Sequence, residues 1–140
     1  MCMYTIQKQA VVTTKDLVCY KVVYHFEEPF TLASEVYNFQ YELGREYTAE
    51  RFDVTPESTV LGYDTDFNFM SSVNHGFHSY MKYRDAVCFR YNDRRVVMKC
   101  IIPKGSLVFL GTNGTDCYCS NKIRVIGYQH RGQRGWTTKN

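Results

Sequence analysis

The stretch from residue 95 to residue 128 constrains this chain more than any other. Arg95-Val96-Val97-Met98-Lys99-Cys100-Ile101-Ile102 is dense in β-branched residues and is halted by Pro103-Lys104-Gly105. Shorter runs follow over residues 106–110, 116–120 and 122–128, with Thr112-Asn113-Gly114-Thr115 between the first two. Gaps this short leave no room for the crossovers that parallel strands need, and Asn-Gly supplies the positive φ of a tight turn. The spacing predicts antiparallel strands.

The rest of the chain extends the pattern. Leu17-Val18-Cys19-Tyr20-Lys21-Val22-Val23-Tyr24 reads as another strand, broken at Glu27-Glu28-Pro29. Residues 3–12 alternate well enough for a first strand, and residues 30–43 are open between short strands and a helical turn. Residues 41–47 read as a short strand bent at Gly44. Residues 50–66, with Pro56 and Gly62, read as a solvated loop. Tyr80, Tyr83, Val87 and Tyr91 fall at helical spacing, which predicts a helix over residues 80–91, ended by Asn92-Asp93. The expected fold class is α+β, mainly antiparallel β-sheets with one helix. With 44% hydrophobic and 16% aromatic residues over 140 positions, the chain buries a core rather than remaining disordered. It reads as a single domain over residues 1–140, with residues 130–140 as a polar tail.

Charge is unevenly placed. Residues 1–78 carry five Lys and Arg against eleven Asp and Glu, whereas residues 79–140 carry twelve against three. The basic half interleaves cations with rings, including Lys99, Tyr83, Tyr118, Tyr128 and Trp136. That combination suits phosphate neutralisation and base stacking, with Arg90, Arg94, Arg95, Lys122 and Arg124 as candidate nucleic-acid contacts. Two charge-biased halves packing together would give the same composition. The N-terminus shows no apolar segment of the secretory kind and no run approaches a membrane span, so a cytoplasmic location, reduced thiols and no membrane partner are expected.

The motifs for chemistry are sparse. His75 and His78 form H-x-x-H, and Cys117 and Cys119 form C-x-C. In a strand, residues 117 and 119 share one face, which suits packing better than a zinc knuckle, so no metal site is expected. Cys88 or Cys117 with His78 would make a thiol nucleophile, but neither has supporting context, and buried inert thiols are the expectation. Cys19 and Cys100 read as core residues. Pro103-Lys104-Gly105-Ser106 reads as a β-turn rather than a phosphate loop.

Three pieces in order carry a resemblance: Cys19-Tyr20-Lys21-Val22-Val23, then Gly76-Phe77-His78-Ser79-Tyr80, then Val97 through Ser106 with the hairpin ending in Ile123-Arg124-Val125. This resembles small phage and gut-bacterial proteins with a GFHS signature and, more remotely, the ADP-ribosyltransferase-like split barrel. The resemblance implies a pocket built from Tyr20, Lys21, His78, Ser79 and Asn121, with NAD as its cofactor. It also implies a late-strand Glu near residues 120–121, where this chain has Ser and Asn; Asp116 is the nearby carboxylate. Without that Glu the positive charge of an oxocarbenium-like transition state loses its partner. The expected function is a small intracellular, phage-borne accessory domain that binds a partner or a nucleotide-like ligand without classical catalysis. The alternatives are a divergent transferase acting on NAD or a phosphorylated RNA end, and a nucleic-acid binder using the basic half. Nucleic acid or a host protein is the expected partner.

Overall fold

A computed structural model describes residues 3–27, 30–34, 39–57, 60–63, 69–90 and 92–139. Cys2, the Glu28-Pro29 break, Tyr91, and residues 58–59 and 64–66 of the expected loop lie outside them. The strands in chain order are β1 (Met3–Thr5), β2 (Val11–Val12), β3 (Leu17–Glu27), β4 (Phe30–Ala33), β5 (Gln40–Tyr41), β6 (Glu46–Thr48), β7 (Val60–Tyr63), β8 (Phe69–Val73), β9 (Phe77–Tyr80), β10 (Arg95–Ile102), β11 (Leu107–Thr112), β12 (Asp116–Ser120) and β13 (Lys122–Gln129). Helix α1 (Tyr83–Cys88) lies between β9 and β10. The mainly antiparallel fold with one short helix agrees with the sequence reading.

β3 and β10 form the spine. They pair antiparallel from Arg95 opposite Tyr24 to Ile102 opposite Leu17. Their alternation sends side chains to two faces, and both faces are covered along Val96–Met98. Cys19, Val23, Val96, Met98 and Cys100 join one core with Leu32, Tyr41, Phe77, Val108, Ile123 and Val125. Val97 joins a second core with Met3, Tyr80, Ala86, Phe109, Cys117 and Cys119. Each such fully buried aliphatic side chain contributes about 1.5–3 kcal/mol relative to exposure. This is why β10 reads as nearly continuous hydrophobics.

The sheet runs β6-β13-β10-β3-β9-β12-β11-β1-β8-β7, with β4 and β5 branching from β3 and β2 pairing β11. Its two halves meet at one registered pair, Tyr20 opposite Tyr80. Farther along, β3 pairs β4, starting at Tyr24 opposite Ala33. Between these pairs the register skips residues 21–23, so β3 borders a seam there, with β9 on one side and the β4–β5 hairpin on the other.

Several expectations change in detail. The helix starts three residues later than expected, because Tyr80 stays in β9, and Lys82 at its N-cap makes no side-chain cap. The first strand is split into β1 and β2. The expected strand over residues 41–47 is two strands, β5 and β6, joined through Gly44 at φ 79°. Part of the expected loop forms β7. Asn113-Gly114 does turn β11 into β12, with Thr112 opposite Asp116 and Gly114 at φ 104°. Pro103–Ser106 is the expected turn, closed by Ser106 N–H and Oγ donating to Pro103 O.

The tail also has structure. Tyr128 and Thr137 exchange backbone hydrogen bonds of 3.0 and 2.8 Å, and Gln129 Nε2 donates to Gly135 O. The register between β10 and β13 shifts after Lys99, and Gly127 lies at that irregularity, under the tail. A Cβ there would stand 3.2 Å from Thr137 O and 3.4 Å from Trp136 Cβ. Gly127→Ala is therefore expected to loosen the tail at a cost of about 1 kcal/mol. Because Trp136 is the chain's single tryptophan, increased acrylamide quenching of its fluorescence would report this, and unchanged quenching would contradict it.

Candidate functional site

The seam between β3, β9 and the β4–β5 hairpin collects most of the chain's unusual side chains. Lys21 stands on β3 just past the Tyr20–Tyr80 pair, and its ammonium donates to His78 O where the strand pairing lapses. As a residue Lys21 is half-buried, but its ammonium is surrounded by protein. Burial pushes its pKa down, and ionised Cys100, Cys19, Cys119 or Cys117 would push it back. Among the described residues, no carboxylate forms an ion pair with it. A cation held in the interior by a carbonyl is costly unless something else satisfies it.

Ser79, one peptide beyond that carbonyl, is fully buried, and its Oγ has no hydrogen-bond partner. Alternation along β9 turns it to the same face as Phe77 and Lys21. It faces the Cys19 sulfur, a weak acceptor. Cys19 lies directly opposite Cys100 on β10, and both are fully buried. Burial alone would raise the Cys19 thiol. Interactions with Cys100, Ser79 and Lys21 favour its thiolate and hold it below the usual thiol value, while burial keeps Cys100 well above.

Rings enclose the seam. Phe39 meets Phe77 across it at 5.9 Å between centroids, and packs on Tyr41 and Tyr47 at 5.0 and 5.3 Å. Burial pushes the Tyr41 hydroxyl's pKa up, with Cys100, Tyr47 and Cys19 close enough to add to it. Tyr41 therefore links the seam to a cavity of about 310 Å³ behind it. Phe30, Leu32, Tyr41, Glu42, Leu43 and Tyr128 line that cavity, and Phe30 stacks on Tyr128 at 5.0 Å. The volume lies at the small end of ligand pockets, which suits one planar ring system. The Glu42 carboxylate at the lining forms an exposed pair with Arg45 at 3.3 Å.

The residues expected to form a pocket therefore separate into two groups. Lys21, Ser79 and the backbone of His78 converge on the seam. The His78 ring points to the other core, where Nε2 donates to Val73 O at 2.9 Å. Tyr20 lies on that face too, edge-on to Tyr83 at 5.7 Å and stacked on Trp136 at 6.1 Å. Asn121 is structural: its Oδ1 accepts from Leu107 N–H and its carbonyl from Ala49 N–H. Neighbouring Ser120 donates to Lys122 O. Phe39 and Tyr41, which belong to the ambiguous stretch of sequence, supply the ring wall instead.

The candidate nucleic-acid contacts also divide. Arg90 ties α1 to β13 through Gln129 O and Oε1. Arg95 binds Phe89 O and the Tyr24 hydroxyl, with its guanidinium 5.2 Å from the Tyr24 ring. Both serve packing. Arg94 is exposed at the turn before β10, where its carbonyl accepts from His25 N–H. Lys122 and Arg124 project from one face of β13.

Cys117 and Cys119 fit the packed reading, whereas Cys88, at the end of α1, is exposed rather than buried as expected. Cys117 is fully buried and donates to Asn113 Oδ1 and Thr115 O, and burial raises its pKa. Cys119 donates to His75 O at 3.2 Å and is raised by burial. Among the described residues no helix is long and apolar enough to cross a membrane. No protein-family model, curated protein or solved structure matches the chain.

Proposed function

We propose that this chain is a small ligand-binding domain that takes a nucleotide-like molecule in the seam, without classical catalysis. The observation that carries this reading is the pairing of a buried, carboxylate-free Lys21 ammonium with a buried Ser79 hydroxyl whose neighbour is the weak acceptor Cys19, near a ring-lined cavity that Tyr41 borders. A buried ammonium held by one carbonyl and a buried hydroxyl facing only a thiol sulfur are incompletely satisfied, and an unmade hydrogen bond costs about 1–3 kcal/mol. A ligand that brings acceptor oxygens recovers that loss. A nucleotide has both required parts, since its ring suits the cavity bordered by Tyr41, Phe30 and Tyr128, and its oxygens suit Lys21 and Ser79. Glu42 is placed to accept from an exocyclic amine or a carboxamide N–H.

The transferase alternative uses the same seam and needs a carboxylate there. Among the described residues, the position implied for it holds Ser120 and Asn121, both engaged in backbone bonds. Asp116 instead lies 3.6 Å from Lys82 on the surface.

Calorimetric titration with NAD, ADP-ribose and AMP tests the reading. We expect saturable binding of at least one of them. Ser79→Ala should weaken it about tenfold, or about 1.4 kcal/mol, and Lys21→Met should weaken it further with the melting transition retained. Absence of binding by all three, or unchanged affinity in Ser79→Ala, would refute the proposal. Release of nicotinamide from NAD at a catalytic rate would favour the transferase.

A further inference from the structure

A second surface lies on the opposite side of the sheet and is independent of the seam. Alternation on β3, β10 and β13 places Val18, Tyr20, Lys99, Ile101, Lys122 and Arg124 on one face: Tyr20 registers with Lys99, Val18 with Ile101, and Ile101 with Arg124. Helix α1 covers one end of this face through Tyr83, Ala86 and Val87. The docked tail covers the middle through Trp136. The far end is open, with Val18 at 44% exposure and Ile101, Lys122 and Arg124 half-exposed.

We infer that this open face binds single-stranded nucleic acid, with Trp136 as its stacking platform. Charge complementarity selects the occupant. Lys99, Lys122 and Arg124 form a cationic row, with Glu46 as the cross-strand neighbour of Arg124 and Asp16 at the end of β3 accepting from Lys104 N–H. Lys122 and Arg124 stand about 6.6 Å apart along the strand, a spacing that follows an extended sugar-phosphate chain. The ring is already positioned: the indole is braced by Tyr20 at 6.1 Å and Tyr83 at 5.6 Å, and Lys99 Nζ hovers 5.6 Å from its centroid. The Lys99 side chain is flexible. An arriving base takes its place over the ring, and the released ammonium goes to the neighbouring phosphate. Val18 and Ile101 give the next base an apolar floor. A flat sheet carrying rings and cations reads single strands by stacking, which every base can satisfy, so tolerance of sequence is expected.

Fluorescence of the intact chain tests this, because Trp136 is the sole tryptophan. Oligothymidylate of roughly 15 nucleotides should quench Trp136 saturably in about 50 mM salt, and added salt should weaken the binding steeply. With a labelled oligonucleotide, Lys122→Glu combined with Arg124→Glu should lower affinity more than tenfold and flatten the salt dependence. Trp136→Ala should lower affinity about tenfold with the salt slope kept, and Trp136→Phe should restore most of it. A structural role for Trp136 would not produce that split between affinity and salt slope. Ser79→Ala should leave oligonucleotide binding unchanged, which separates this site from the seam. Three outcomes would overturn the inference: no binding at low salt, equal affinity for a duplex of the same length, or equal affinity for polyglutamate.

Discussion

Gly111→Ala is expected to cost about 3 kcal/mol or more and to detach β1 from the sheet. Gly111 lies in β11 opposite Cys117, one residue before Thr112, which pairs with Tyr4 of β1. A Cβ built at Gly111 would stand 2.2 Å from Tyr4 O and 3.1 Å from the Met3 side-chain methyl. The methyl is the end of a flexible chain and can move. The carbonyl is backbone and cannot yield without breaking the local pairing. β1 also holds Met3, fully buried in the second core, and Thr5, which donates to Leu110 O at 2.7 Å. It is the bridge between β11 and β8, so displacing it disconnects β8 and β7 as well. Overpacking costs 1–3 kcal/mol where a core can adjust; here it acts on backbone. Urea denaturation should show the lower midpoint, and hydrogen exchange should show β1 and β8 amides losing protection. A loss below about 0.5 kcal/mol would mean that β1 is not docked as described.

Much of the fold is legible in the sequence because strands with two buried faces leave dense apolar runs. β10 is of this kind over Val96–Met98, β3 and β13 bury one face and leave part of the other open, and the Asn113-Gly114 turn follows from backbone chemistry. What could not be read is how the halves connect. β1 and β6 are three residues long and β2 and β5 two, too short to show a period of 2, and their strand state is set by partners distant in the chain. Helix α1 fell short of its pattern because Tyr80, in phase with Tyr83 and Val87, is retained by pairing with both β3 and β12.

The seam was half legible. Lys21 is conspicuous as a cation in an apolar run, and Ser79 as a polar residue in a fully buried strand. Tyr20 and Asn121 did not join them for separate reasons. In a strand, neighbours face opposite sides, so Tyr20 and Lys21 could not share a pocket wall. Asn121 links β12 to β13, and its side-chain oxygen is taken up by the Leu107 N–H of β11. The rings of Phe39 and Tyr41 carry no local signal, since their position depends on β4 and β5 folding back across β9.

His78 has the most calculable pH dependence. It is 5% exposed, and its pKa is pushed down to about 4 from 6.5, chiefly by burial and further by Lys21, against hydrogen bonding to Val73 and Gly76. The unfolded chain therefore takes up a proton at this site as pH falls below 6.5, whereas the folded chain resists until about 4. Above that window both forms are neutral and His78 contributes no slope. Within it the unfolded state binds more protons, so stability falls with falling pH. At 1.36 kcal/mol per unit the loss totals about 3 kcal/mol. Carboxylates and His130, whose pKa burial also lowers, titrate in the same range, so the useful quantity is a difference. Gln at position 78 keeps an N–H for Val73 O and has no charge to acquire. Denaturation midpoints of the native chain and His78→Gln, measured from about pH 7 to about pH 4, should converge as pH falls. The native chain should lose about 3 kcal/mol more than the variant across that range. Parallel curves would show that His78 protonates freely in the folded chain, which is incompatible with a ring buried against Val73.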